Sequence, residues 1–335
     1  MTFSLPEPAI RARHPFLFRE IPYFDRFLAE YEGRFEKEYG FFRPIVKEVV
    51  EKYLDCGNPR CGFARIRCPR CRMEHLLTFS CKTCGFCPCH AKRLEEWGEW
   101  MRETLLLDIP HRQVVFTIPK MLRVFFKFMR KLLGDLCRCA VRALLLYFQA
   151  MAGTILEPGI VAVIQTFGDR INFHPHLHLL VTEGGMDEAG VFHKVPRIDD
   201  ARLVEVFTRE VLAFLVGREL LRPEWSERIL SWRHTGFNVH SRVRAKTKPE
   251  AERVGKYMIR PVLSLERLEF LEPEAKVGYR WGQDRNEREM MDYLEFIARV
   301  TSHIPDRGQV MVRYYGLYAN AHRGKARKAQ TLMSQ

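Results

Sequence analysis

The sequence predicts a mixed α+β fold: a β-sheet covered by helices on one face and open to a substrate on the other, preceded by a small helical, cysteine-rich module. Three observations predict it. Runs rich in β-branched and aromatic residues alternate with long stretches of helical periodicity. Eight of the ten cysteines fall between Cys56 and Cys89. A chain of 335 residues, 47% hydrophobic and 28% charged, can bury one large core and still carry smaller modules.

From Ile21 to about Leu54 the pattern is helical. The cysteine window, rich in turn residues, interrupts it as far as His90. AKRLEEWGEWMRETLLL then reads as an amphipathic helix, and HRQVVFTIP as a strand ended by Pro119. A long helix follows over residues 121–153, with Cys137 and Cys139 in its apolar stretch as core thiols. GIVAVIQTFG and HPHLHLLVTEGG read as neighbouring strands joined by a turn from Asp169 to Asn172, with VFHKVPRI as a further strand. Another helix (about 201–218), a strand (about 237–245) and the helix AERVGKYMIRPV, ended near Pro261, complete the pattern. The expected domains are residues 1–93, 94–270 and 271–335, the last a helical and strand extension, with no internal repeat.

A formal net charge of +13 suits a polyanion such as nucleic acid or, less specifically, an anionic membrane surface. No apolar run reaches the roughly 18 residues that a membrane span needs, and the start lacks a secretory signal. The expectation is a cytoplasmic protein, in whose reducing surroundings dense cysteines bind metal rather than form disulfides.

Side chains alternate along a strand, so His174, His176, His178 and Leu180 share one face, and Pro175, Leu177, Leu179 and Val181 the other. His176 and His178 are therefore candidate ligands of a divalent ion, which would polarise a phosphodiester. In the following helix Arg253, Tyr257 and Arg260 share a face, while Val254 and Met258 dock on the sheet. A phenol is a poor nucleophile unless cations stabilise the charge that develops, and Lys256 and Arg260 are placed to do so. Cys68 with Cys71, and Cys84 with Cys87, form two CxxC pairs whose spacing lets them converge on one tetrahedral Zn²⁺. Cys56, Cys61, His75 and Cys81 remain for a second ion. FFKFMRK, SWRHTGFNVHSRVRAKTK and VRYYGLYANAHRGKARK mix cations with aromatics, as surfaces that track single strands do.

Six segments together resemble the insertion sequence 91 family of rolling-circle transposases, a branch of the HUH endonucleases. They are CGFARIRCPRCRMEHLLTFSCK, PHRQVVFTIPK, VIQTFGDRINFHPHLHLLVTEGG, TGFNVHSRVRAK, GKYMIRPVLSLERL and EFIARVTSHIPDRGQVMVRYYGLYANAHRGK. The resemblance implies a palm-like antiparallel sheet with His176 and His178 as metal ligands and Tyr257 as nucleophile. It also implies single-stranded DNA at transposon ends as substrate, a 5′-phosphotyrosine intermediate, and a zinc-binding module that recognises those ends. A third metal ligand is expected nearby: Gln165 is preferred, with Asp169 and Glu183 as rivals, and Mg²⁺ or Mn²⁺ is the working ion.

The family's second cysteine pair reads CPxC, whereas this chain has Cys87, Pro88, Cys89 and His90. Cys89 or His90 takes the expected ligand's place, or Cys84 compensates. Arg253 stands where many relatives carry an earlier tyrosine, so strand transfer needs a second subunit in a homodimer, a second round of attack, or a free 3′ hydroxyl. Relatives often continue past RYYGLYAN, which leads to the expectation of a shortened copy. Two other readings fit part of the pattern: a zinc-dependent DNA-binding remnant without catalysis, and a small-molecule metal hydrolase. The second explains neither the charge nor the cysteines.

Overall fold

Continuous apolar sequence makes strands buried on both sides, and alternating sequence makes strands with one polar face. Both kinds occur in the computed structural model of the chain, which describes residues 21–81, 85–87, 89–195, 197–282 and 287–324. Its elements fall into two units. One comprises residues up to 95 with 167–172 and 260–307; the other comprises 96–166, 173–259 and the residues from 308. The break between these units nearest the expected 93/94 boundary falls at 95/96. Of residues 271–335, those up to 307 fall in the first unit, and the strand Val312–Gly316 hydrogen-bonds to Gly159–Phe167 of the central sheet.

In the second unit the sheet runs Val312–Gly316, Gly159–Phe167, Phe173–Thr182, His111–Thr117 and then Asn238–His240. Arg244–Ala245 also pairs with His111–Thr117, and the strand expected over 237–245 is split in two. On one face Leu177, Leu179, Val181, Val114 and Phe116 pack with residues of the helices Leu132–Ala152 and Asp200–Gly217. The other face was expected to be open, and the structure corrects this. There Val161, Val163 and Leu180 form a core with Met101, Leu105, Tyr318, and Ala251 and Met258 of the helix Lys248–Met258. The reason is legible in GIVAVIQTF, whose apolar run Gly159–Ile164 leads a strand that is buried along its whole length.

The long helix expected over 121–153 is broken into Arg123–Phe128 and Leu132–Ala152. The second piece ends on Gly153, whose left-handed backbone lets its N–H bond Gln149 O. Cys137 and Cys139 are buried in it, as expected.

In the first unit the helices Ile21–Arg34, Pro44–Leu54 and Tyr293–Ser302 share a core with the antiparallel strands Leu268–Leu271, Lys276–Trp281 and Glu287–Asp292. Phe27, Val50, Phe296 and Val300 are its fully buried centre. Pro44 starts one helix with its fixed φ, and the Asp292 carboxylate caps another by accepting from Leu294 N and Glu295 N. A separate hairpin pairs Phe63–Arg67 with Glu74–Thr78.

Candidate metal centre and cysteine cluster

Strand alternation and helix docking bring the sequence's candidates together on one face of the central sheet. The rings of His176 and His178 are 4.9 Å apart, and the ring of Tyr257 stands perpendicular to that of His178 at 6.1 Å. His178 is buried, His176 half-buried, and Tyr257 is 51% exposed, so its phenol is accessible to a large substrate. His174 continues the row 5.2 Å from His176. Burial, then the charge of Arg123, lowers its pKa to about 4 and keeps it neutral.

Each ligand candidate is oriented through its Nδ1. His176 Nδ1 lies 2.8 Å from His174 O, and because a carbonyl only accepts, Nδ1 carries the proton and Nε2 the lone pair. Gln113 Nε2 lies 3.0 Å from His178 Nδ1. The two ends of an amide are interchangeable in shape; with Oε1 in that place Nδ1–H donates and Nε2 is left to ligate. Sequence reasoning passed over Gln113. Its signal was a polar residue inside an apolar strand, and the register places it beside Leu180 on the histidine face. The same rows run on through Val115 to His240 and through Thr117 to Asn238, both exposed at the sheet edge.

Gln165 is buried. Its Nε2 donates to Met258 O at the end of the tyrosine helix, and among the described residues its Oε1 has no hydrogen-bond partner. A buried carbonyl oxygen left over on the same sheet face as two oriented imidazoles is the kind of donor that a divalent ion needs. The rivals are engaged elsewhere. Glu183 accepts from Arg112 at 2.8 Å and Arg244 at 2.6 Å, and alternation turns it to the opposite face. Asp169 accepts from Arg267 Nη1 at 2.6 Å and from Gly282 N at 2.7 Å.

Of the candidate cations, Lys256 Nζ lies 3.4 Å from Glu252, and Arg260 lies beyond the helix with its guanidinium 5.8 Å from the Phe167 ring centre. Arg253 is exposed one turn before Tyr257. The basic stretch 231–248 forms the sheet-edge strands and exposes Arg233, His234, His240, Arg242 and Lys246.

Four thiols, of Cys56, Cys81, Cys87 and Cys89, lie within 4.8 Å of one another. Cys81 Sγ is 3.5 Å from Cys89 Sγ, and Cys87 Sγ is 3.5 Å from Cys56 Sγ. A tetrahedron of sulfurs about 2.3 Å from zinc has edges of about 3.8 Å, so the cluster fits a closed structural Zn²⁺ site. Cys87 and Cys89 therefore join Cys56 and Cys81, which the spacing had assigned to a second ion, whereas Cys68 and Cys71 sit apart on the turn of the exposed hairpin. His90 opens the next helix, and Cys84 lies outside the described residues.

Residues 24–118 match the transposase zinc-binding domain, and residues 159–326 match the family described as "Putative transposase". The fold and the cysteine cluster thus belong to a transposase with a zinc-binding domain in its N-terminal part. The chain is 30% identical over 302 residues to the transposase for insertion sequence element IS801 from Pseudomonas savastanoi pv. phaseolicola, covering 84% of this chain and 72% of that protein. It is 27% identical over 289 residues to "Putative transposase y4qJ" of Sinorhizobium fredii (strain NBRC 101917 / NGR234), covering 79% and 69%. The chain belongs to the insertion sequence 91 family of transposases. No solved structure matches it. Among the described residues no helix is long and apolar enough to cross a membrane.

Proposed function

We propose that this transposase cuts and rejoins single-stranded DNA at transposon ends by the HUH mechanism, on a palm-type sheet, as part of rolling-circle transposition. The observation that carries the proposal is the row His176, His178 and Tyr257 on one sheet face, with ring separations of 4.9 and 6.1 Å. His176, His178 and the Gln165 carbonyl oxygen would hold Mg²⁺ or Mn²⁺, which supplies Lewis-acid polarisation of the scissile phosphodiester. The exposed sheet-edge cations would track the phosphates of the strand.

Tyr257 Oη attacks the phosphorus and its phenolic proton passes to solvent. The bond to the 3′ oxygen breaks, and that oxygen takes up a proton as a 3′ hydroxyl. The 5′ phosphate stays on Tyr257 as a phosphotyrosine, and a later 3′ hydroxyl displaces it. Bond energy is conserved in the link, so no nucleotide cofactor is required. With Arg253 in the other position on this face, one copy holds one DNA end at a time.

The test is incubation with labelled single-stranded oligonucleotides from the element's ends, with Mn²⁺ or EDTA, and a denaturing gel. A protein–DNA adduct that requires metal and disappears in Tyr257→Phe and His176→Ala is expected. Tight binding without an adduct on any strand would replace this reading with a zinc-dependent DNA-binding protein.

A further inference from the structure

The closed cysteine cluster leaves a second thiol pair unaccounted for. Cys68 and Cys71 lie in the turn of the hairpin Phe63–Arg67/Glu74–Thr78, which is closed by Cys68 N to Met73 O at 2.8 Å and Arg72 N to Cys68 O at 2.9 Å. Cys71 is exposed and Cys68 half-exposed.

Two thiolates are half of a tetrahedral structural site. Among the described residues no third His, Cys, Asp or Glu joins this pair to form a ligand group. Geometry explains why: strands of five residues carry the turn about 16 Å from the hairpin's base, and the Cys56 cluster lies at that base, where Gly57 N bonds Phe79 O.

The hairpin has a second open valence. Its register puts Arg65 and Arg67 on one face with Glu74, to which both are ion-paired. The opposite face carries Ile66 and Leu77 on either side of His75, continued by Met73 and Phe79, the four apolar side chains each 51–58% exposed, whereas on the arginine face Phe63 and Leu76 are each 46% exposed. A lone two-stranded hairpin is marginal in water and needs a cover on its apolar face.

We propose that the hairpin tips of two copies of this chain share one Zn²⁺, each giving Cys68 and Cys71, with the apolar faces of the two hairpins packed together. A site of four thiolates on Zn²⁺ would carry a double negative charge, and Arg70 and Arg72 flank Cys71 in sequence at each tip. The inference is independent of the cleavage mechanism.

The test is zinc content by elemental mass spectrometry together with molar mass by light scattering on the full-length, zinc-replete protein. About one and a half zinc ions per chain in a dimer are expected from one closed cluster per chain and one shared site. The double substitution Cys68→Ser with Cys71→Ser should lower this to one per chain and yield a folded monomer. A second variant, Ile66→Lys with Leu77→Lys, keeps the thiols and should weaken dimerisation at least tenfold. Two zinc ions per monomer, with one lost on Cys84→Ser or Cys61→Ser, would overturn the proposal by completing the site within one chain. A dimer unchanged by both variants would overturn it as well.

Discussion

Gln113 offers the most direct test of the candidate metal centre because it touches the proposed ion only through His178. It is 5% exposed, and its amide lies 3.0 Å from His178 Nδ1. Gln113→Leu keeps the size of the side chain and removes the amide that fixes His178 Nδ1. Loss of such an orienting partner costs roughly 10- to 100-fold in metal affinity, about 1.4–2.7 kcal/mol. Gln113→Glu should restore the orientation with an acceptor that raises ligand basicity. Calorimetric titration with Mn²⁺ is the assay, with far-UV circular dichroism to show that the sheet is intact. A folded Gln113→Leu protein that binds Mn²⁺ as the parent does would refute the assignment of His178 Nε2 as a ligand. Adduct formation should follow the affinities, so that saturating Mn²⁺ largely rescues the leucine variant.

Three further outcomes are expected. Stripping zinc with a strong chelator should melt the cysteine module, because such sites contribute about 10–16 kcal/mol, more than most domains have in reserve; an unchanged melting temperature after proven zinc loss would contradict this. Glu183 is buried between Arg112 and Arg244, and Glu183→Gln should cost about 3 kcal/mol in urea unfolding, the low end for a buried pair because Arg244 is half-exposed; a cost below about 1 kcal/mol would show a solvated pair. Burial lowers the pKa of His111, whose Nε2 lies 2.6 Å from the Tyr318 hydroxyl, from 6.5 to about 4. The unfolded chain therefore takes up this proton first, and the contribution, present in full above pH 6.5, is lost as pH falls towards 4, about 3 kcal/mol in all. His111→Gln should flatten that part of the stability curve, and an unchanged slope would place the titration elsewhere.

Much of the central sheet was legible because its strands announce themselves locally. HRQVVFT and FHPHLHLLVT are bounded by turn residues, and alternation alone put His176 and His178 on one face. The tyrosine helix was legible from the spacing of Val254, Met258 and Tyr257. The burial of the sheet's second face was missed, although the apolar run GIVAVI carried the signal. The break at 129–131 had no proline or glycine to mark it. The grouping of thiols was not legible, since eight cysteines in 34 positions admit many pairings and spacing cannot rank them.

The sequence by itself determined the element types, the charge that favours DNA, the presence of a metal-binding cysteine window and the facing of the histidines. All of these follow from periods of 2.0 and 3.6 residues and from composition, which are properties of short stretches of chain. Only the tertiary structure decided which polar atom serves which neighbour. It set Gln113 against His178 from another strand, left Gln165 Oε1 without a partner among the described residues, joined Cys56 and Cys81 to Cys87 and Cys89, and moved Cys68 and Cys71 to a remote turn. These are contacts between segments distant in sequence, fixed by strand register and packing, and no local pattern encodes them.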